Sequence, residues 1–248
     1  MSSKEATNED ANTLTSFTEK GLCRDEVKLV FDDERELFVS ENFLSLSSPV
    51  FKAMFSNDFI EKNEMTVRLP GKSYDDFLEF LMCIHPAVQK PIDESNAVRV
   101  VSIAAEYQVP SITAKCQRLM KTVMNKDLEE AKKASSMLYN HVVVVRKCLI
   151  FFNTAAAYGY KSLIEHCTTF LASFPSAVYT DSTVAYTDVT NCSYLSNSYN
   201  YKVKVNGESV NVKDVRSECM ALFKKLPPDV SLMVITKRLS KCDTQKFL

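Results

Sequence analysis

Tryptophan is absent from this chain of 248 residues, and glycine nearly so, with only Gly21, Gly71, Gly159 and Gly207. Four scattered glycines exclude a glycine-rich loop that cradles phosphate, because such a loop needs several within a few residues of one another. Histidine is also scarce: His85, His141 and His166 stand without a recognisable nucleophile motif around them. His166 and Cys167 are adjacent, but neighbours on a helix point about 100° apart, so they do not form a nucleophile–base pair. No two of the eight cysteines are closer than Cys148 and Cys167, which leaves no C-x-x-C pair and no zinc-type spacing. No catalytic residue, metal site or cofactor is therefore expected. Reduced thiols in a cytoplasmic or nuclear protein are the expectation.

Charge of one sign is lacking as well. The net charge is −1, and no basic cluster is interleaved with aromatics, so neither nucleic acid nor an anionic membrane is an expected partner. A long apolar run is missing too. The most apolar window, Val142 to Tyr160, carries Arg146 and Lys147 inside it. A span of about 20 residues would lose several kcal/mol to those two charges, so the window is expected to be a buried helix. The opening Met1 to Asp10 is polar and acidic, unlike a secretory leader.

What the chain does contain is ordered by period. Residues 1–12 show none and are expected to be disordered. Val27, Leu29 and Phe31 alternate, Asp32 to Arg35 turns the chain, and Leu37 and Val39 alternate back, which reads as a hairpin. Ser40 then caps a short helix, and Ser48 opens another with Pro49 at its first position, where a missing N–H costs nothing. Met65, Val67 and Leu69 form a further strand. Ser73 caps a helix that Pro86 stops. Asp93 to Ser95 opens the next, and Val109 to Ser111 the one after, with Ile112, Cys116, Leu119 and Val123 spaced for burial.

The run Leu44-x-x-x-Ser48-Pro49-Val50-Phe51-x-x-Met54-Phe55, set between that hairpin and that strand, resembles the fingerprint of the BTB (POZ) domain. The resemblance implies an α+β fold, a small sheet flanked by helical hairpins, over residues 13–124. It also implies a protein-interaction adaptor rather than an enzyme. BTB adaptors engage the cullin-3 scaffold of ubiquitin ligases through a hydrophobic-x-Glu pattern, which Phe59 and Glu61 match: Phe59 would seat in an apolar pocket and Glu61 would bond at its rim. The family commonly forms homodimers through an N-terminal helix and the helix after the hairpin. That makes Leu14, Phe17 and Phe43 the expected dimer residues, since Leu14 and Phe17 have no obvious core to join. Two departures from the family pattern are Cys23-Arg24-Asp25-Glu26 before the first strand, and Ser40 where many members carry histidine.

Ala105-Glu106-Tyr107-Gln108-Val109-Pro110-Ser111-Ile112 with Cys116 recurs as Ala156-Ala157-Tyr158-Gly159-Tyr160-Lys161-Ser162-Leu163 with Cys167, 51 positions on from Ala105 to Ala156. Two copies of one helix–turn–helix suggest stacked helical pairs. They also resemble the three-box or BACK-like extension that follows BTB domains, here expected over residues 125–175. Residues 176–213 are then read as a Ser/Thr/Tyr-rich loop plus a hairpin. Its turn is Asn206-Gly207, because both turn residues must reach positive φ. Helices with Val215, Cys219, Leu222 and Leu226 on one face fill residues 214–248. The expected function is a homodimeric substrate adaptor of a cullin-3 ubiquitin ligase, the recruited protein substrate being unspecified. The alternative is an oligomerisation scaffold in transcriptional or cytoskeletal assemblies that does not meet cullin. The 176–213 insertion is expected to take part in partner choice.

Overall fold

The computed structural model describes residues 17–21, 23–56, 64–133, 138–180, 202–205 and 207–245. The chain divides into two compact units, Met1–Leu119 and Met120–Leu248, each taken by itself below.

In the first unit, strands β1 (Glu26–Phe31) and β2 (Glu36–Ser40) form the expected antiparallel hairpin, with Leu29 opposite Leu37 and Val27 opposite Val39. Strand β3 (Thr66–Leu69) lies parallel to β1 on its other edge, giving the order β2-β1-β3. Met65 is not part of β3. It takes a left-handed φ of 48° and its carbonyl accepts the Lys28 N–H, so it turns the chain into the strand.

Helix α1 (Glu41–Ser47) follows β2 directly, and its cap is Ser40, whose hydroxyl accepts the Phe43 N–H. Helix α2 (Pro49–Ser56) opens on Ser48, whose hydroxyl accepts the Phe51 N–H at 3.2 Å. Helix α3 (Tyr74–Ile84) is capped by Ser73, and its Phe77, Phe80 and Leu81 are fully buried. Helix α4 begins later than the sequence suggested, at Ala97, and ends at Glu106. Asp93 accepts from Ser95, while Asn96, itself buried, accepts the Asp93 N–H; this polar turn uses the residues expected to be helical. Helix α5 runs from Pro110 to Lys133, and the division between the two units falls inside it. The aromatic core of this unit is a chain of contacts in which Phe51 stacks on Tyr107 at 4.6 Å and Phe77 meets both edge-on.

In the second unit, helix α6 (Leu138–Ala157) is the centre. Val142, Val145, Cys148, Leu149, Phe151, Phe152 and Ala155 are buried, and α7 (Lys161–Leu171) and α8 (Val212–Lys224) pack against it. Its two charges are accommodated by pairing: Arg146 with Glu218 at 2.6 Å and Lys147 with Asp127 at 2.9 Å. Among the described residues no helix is long and apolar enough to cross a membrane. Helix α9 (Pro228–Gln245) lies on α7, where Lys237 and Lys241 donate to Thr169 and Ser173. Strands β4 (Lys202–Val205) and β5 (Glu208–Asn211) form the second hairpin, with Val205 opposite Glu208 and Gly207 at φ 86°. Asn206 lies outside the described residues. Val212, read as strand in the sequence, is the first residue of α8, and Phe223 rather than Leu222 continues its buried row with Val215, Cys219 and Leu226.

One expectation is corrected here. Residues 176–180, read as the start of a polar loop, are all buried, with a 3-10 turn over Ser176–Val178. Tyr179 packs its ring on Phe223 and donates its hydroxyl to the Leu171 carbonyl, while the Arg216 guanidinium donates to the Ala177 carbonyl. Small and hydroxyl-bearing residues look loop-like by composition, yet their backbone groups are satisfied in the core by a distant arginine.

Candidate interaction surface

Helix α1 is short, and a side chain outside it sets its direction. The Asp25 carboxylate accepts the Ser40 hydroxyl at 2.5 Å, the Asn42 side-chain amide at 2.9 Å and the Asn42 N–H at 3.2 Å. The Asp25 carbonyl accepts the Glu41 N–H. The Ser40 hydroxyl, above all, holds the Asp25 carboxyl below its ordinary range, with both Asn42 donors adding to it. Neither period nor capping pattern singles out Asp25, which lies in the Cys23-Arg24-Asp25-Glu26 stretch that departs from the family pattern. One hydrogen bond joins both departures, since the Ser40 hydroxyl that caps α1 also donates to the Asp25 carboxylate.

Of the expected dimer residues, Phe17 has a partner inside the chain after all. It is only 2% exposed and meets the His85 ring edge-on at 5.3 Å. Phe43, half-buried on α1, meets the same imidazole edge-on at 4.9 Å. The premise that Phe17 lacks a core is thus corrected: His85, just past the end of α3, supplies it. Burial pushes the His85 imidazole pKa down, which favours the neutral ring against the two phenyl groups. Leu14, Phe59 and Glu61 lie outside the described residues. Helix α2 ends at Ser56 with Phe55 buried, and description resumes at Glu64. The apolar residue standing furthest out on α1 is Leu46, at 89% exposed, which the sequence reading passed over.

The buried thiols are not set up as nucleophiles. Burial pushes the Cys83 thiol up to about 11, and the Cys116 and Cys219 thiols to about 12. Burial lowers the pKa of all three histidines. A nucleophilic thiolate needs the opposite shift. Among the described residues no group of three potential ligands is gathered to hold a metal.

Hairpin, cap, Ser48-Pro49 opening and parallel third strand thus occur together, in this order, in one unit. Residues 15–123 match the model of the BTB/POZ domain. This segment is a BTB/POZ domain. Among relatives, the chain is 32% identical over 88 residues to BTB and MATH domain-containing protein 38 of Caenorhabditis elegans, covering 36% of this chain and 22% of that protein. It is 31% identical over 80 residues to a BTB/POZ domain-containing protein of Arabidopsis thaliana, covering 32% of each. A second Arabidopsis BTB/POZ domain-containing protein is 20% identical over 138 residues, 56% of this chain and 42% of that one. The chain thus spans well under two thirds of each of these relatives. The BTB/POZ domain is a protein-interaction domain, and no catalytic family is indicated. The helices beyond it, from α6 on, agree with a C-terminal helical extension.

Proposed function

We propose that this protein is an adaptor that joins a cullin-3 ubiquitin ligase to a protein substrate and works as a homodimer in the cytoplasm or nucleus. The observation that carries the cullin reading is the Phe59-x-Glu61 pattern, placed in sequence between α2 and β3 of a BTB/POZ domain. An aromatic anchor is the residue type that dominates binding energy when it is seated in an apolar pocket. Titrating the full chain with the cullin-3 N-terminal domain by calorimetry tests it. Phe59→Ala should weaken binding roughly 30- to 1,000-fold, and Glu61→Ala less, as expected for a wet rim contact. An unchanged curve for Phe59→Ala overturns the contact.

Homodimerisation is tested separately by light scattering at micromolar concentration. The informative substitution is Phe43→Glu: Phe43 is half-buried, whereas a charge at Phe17 would unfold the core beside His85 before it reported on any interface. A folded Phe43→Glu chain that turns monomeric supports the reading. A wild-type chain that is monomeric throughout sinks it and leaves a scaffold role without self-association. The 176–213 stretch is proposed to help choose partners. Because residues 176–180 belong to the core, the deletion that asks this begins at Ser182 and ends at Gly207. If that deletion keeps every partner, the insertion is passive.

A further inference from the structure

His85 is the meeting point of three segments of the first unit. Its backbone closes α3, donating its N–H to the Leu81 carbonyl at 2.9 Å, and opens the turn that follows. There its carbonyl accepts the Val88 N–H at 3.1 Å and the Gln89 N–H at 2.9 Å. The half-buried ring is engaged as well. Its Nδ1 accepts the Ala87 N–H at 3.3 Å, while Phe17, ahead of β1, and Phe43, on α1, meet it edge-on. One titratable ring thus holds the turn after α3 and two phenyl groups that come from elsewhere in the unit.

This set of contacts suits the neutral imidazole alone. A ring that accepts at Nδ1 carries its proton on Nε2; a second proton, on Nδ1, would face the Ala87 N–H donor to donor. Charging the half-buried ring also costs hydration. The attraction of a phenyl face for a cation works the other way, but it restores neither the lost acceptor nor the lost water. The charged residues on the segments packed here are Glu19 and Lys20 after Phe17, Glu41 on α1, Glu79 on α3 and Lys90 beyond the turn. None of them moves the titration of His85, for which burial is the one cause.

We propose that His85 is an acid-sensitive latch: the neutral ring holds Phe17 and Phe43 against the end of α3, and protonation lets the segment at Phe17 come away. Linkage sets the direction. Burial holds the latched imidazole below the ordinary 6.5, so the latch is fully closed above that pH. As pH falls below it, the released ring takes up its proton first. The ratio of latched to released chains then drops by up to about tenfold per pH unit, until the latched ring titrates too. The latch lies within one chain and needs no partner. That acid also loosens the dimer, through Phe17 and Phe43, is a consequence that rests on the homodimer reading.

The test is an NMR titration of the full-length chain, isotope-labelled at the histidine and phenylalanine rings, from about pH 8 to about pH 5. His85→Phe is the control, because it keeps an aromatic ring at the site but cannot titrate; it also identifies the His85 signal by its loss. If His85→Phe does not fold, His85→Asn, which keeps an acceptor for the Ala87 N–H, takes its place. In the wild type His85 should titrate below 6.5, the Phe17 and Phe43 ring signals should shift with the same midpoint, and the Phe17–His85 ring contact should be lost in acid. In the control the ring signals of Phe43 should not move over this range. A His85 midpoint at or above 6.5, Phe17 signals that ignore it, or the same acid shift in the control overturns the proposal. Light scattering at both ends of the titration reads the dimer separately: a chain that is monomeric throughout ends the homodimer reading, and the ring signals still decide the latch.

Discussion

The turn between α4 and α5 and the turn between α6 and α7 have the same backbone but hold it by different means. In the first, Val109 N–H bonds to the Ala104 carbonyl at 2.7 Å and Gln108 N–H to the Ala105 carbonyl at 3.2 Å. In the second, 51 positions later, Tyr160 N–H bonds to the Ala155 carbonyl at 2.9 Å and Gly159 N–H to the Ala156 carbonyl at 3.3 Å. Gln108 and Gly159 hold the left-handed position, at φ 54° and 66°. Both copies thus close the preceding helix by the same paired bonds from residues past its end. The internal likeness read from the sequence is a likeness of fold.

The difference is in what surrounds them. Tyr107 is buried, its ring stacked on Phe51, and its carbonyl accepts the buried Ser48 hydroxyl at 2.6 Å. The equivalent Tyr158 is 40% exposed and stacks on Tyr160 nearby in sequence. Where distant residues clamp a turn, it tolerates glutamine in a left-handed conformation that disfavours side chains. Where the turn faces solvent, glycine supplies that conformation instead. The Ser48 of the BTB fingerprint therefore does two things with one hydroxyl: it accepts the Phe51 N–H to start α2 and donates to the end of α4. That is a physical reason for a serine at this place in the run.

The comparison can be broken by substitution, starting with the clamp. Phe51→Ala removes a fully buried ring from the face of Tyr107 and should cost about 3–5 kcal/mol in chemical denaturation followed by circular dichroism. Ser48→Ala takes away a cap and leaves a buried carbonyl without its donor, for a loss of about 2 kcal/mol by the same measurement. If Ser48→Ala is neutral, the first turn is not held by tertiary contacts and the contrast drawn above is wrong.

Two smaller changes sharpen it. A Cβ at Gly159 would meet nothing within 4 Å, so Gly159→Ala isolates backbone strain and should destabilise by about 1 kcal/mol. Hydrogen exchange at the Tyr160 amide should quicken accordingly. Gln108→Gly relieves the same strain in the first copy but loosens the unfolded chain, so its net gain should be only about 0.5 kcal/mol. It should be read from slower exchange at the Val109 amide. Equal and opposite effects at the two positions would mean that the clamp on Tyr107 contributes nothing to the choice of residue.

The sequence by itself determined the elements whose cause is local. Alternation fixed the β1–β2 hairpin, side-chain caps fixed the starts of α1, α2 and α3, proline fixed the first residue of α2 and α5, and Asn206-Gly207 marked the second hairpin. Each of these follows from backbone sterics or a hydrogen bond spanning a few residues, and the order of the first few was enough for the BTB/POZ fold to be read. The tertiary structure alone decided the rest. It gave Phe17 a partner in His85, 68 positions away, and so removed it from the free surface. It brought Asp25 onto the cap of α1, drew residues 176–180 into the core through Arg216 and Tyr179, and left Leu46 outside. In the first three the cause is a meeting of residues distant in the chain, and for Leu46 it is the lack of one; neither period nor capping pattern carries that information.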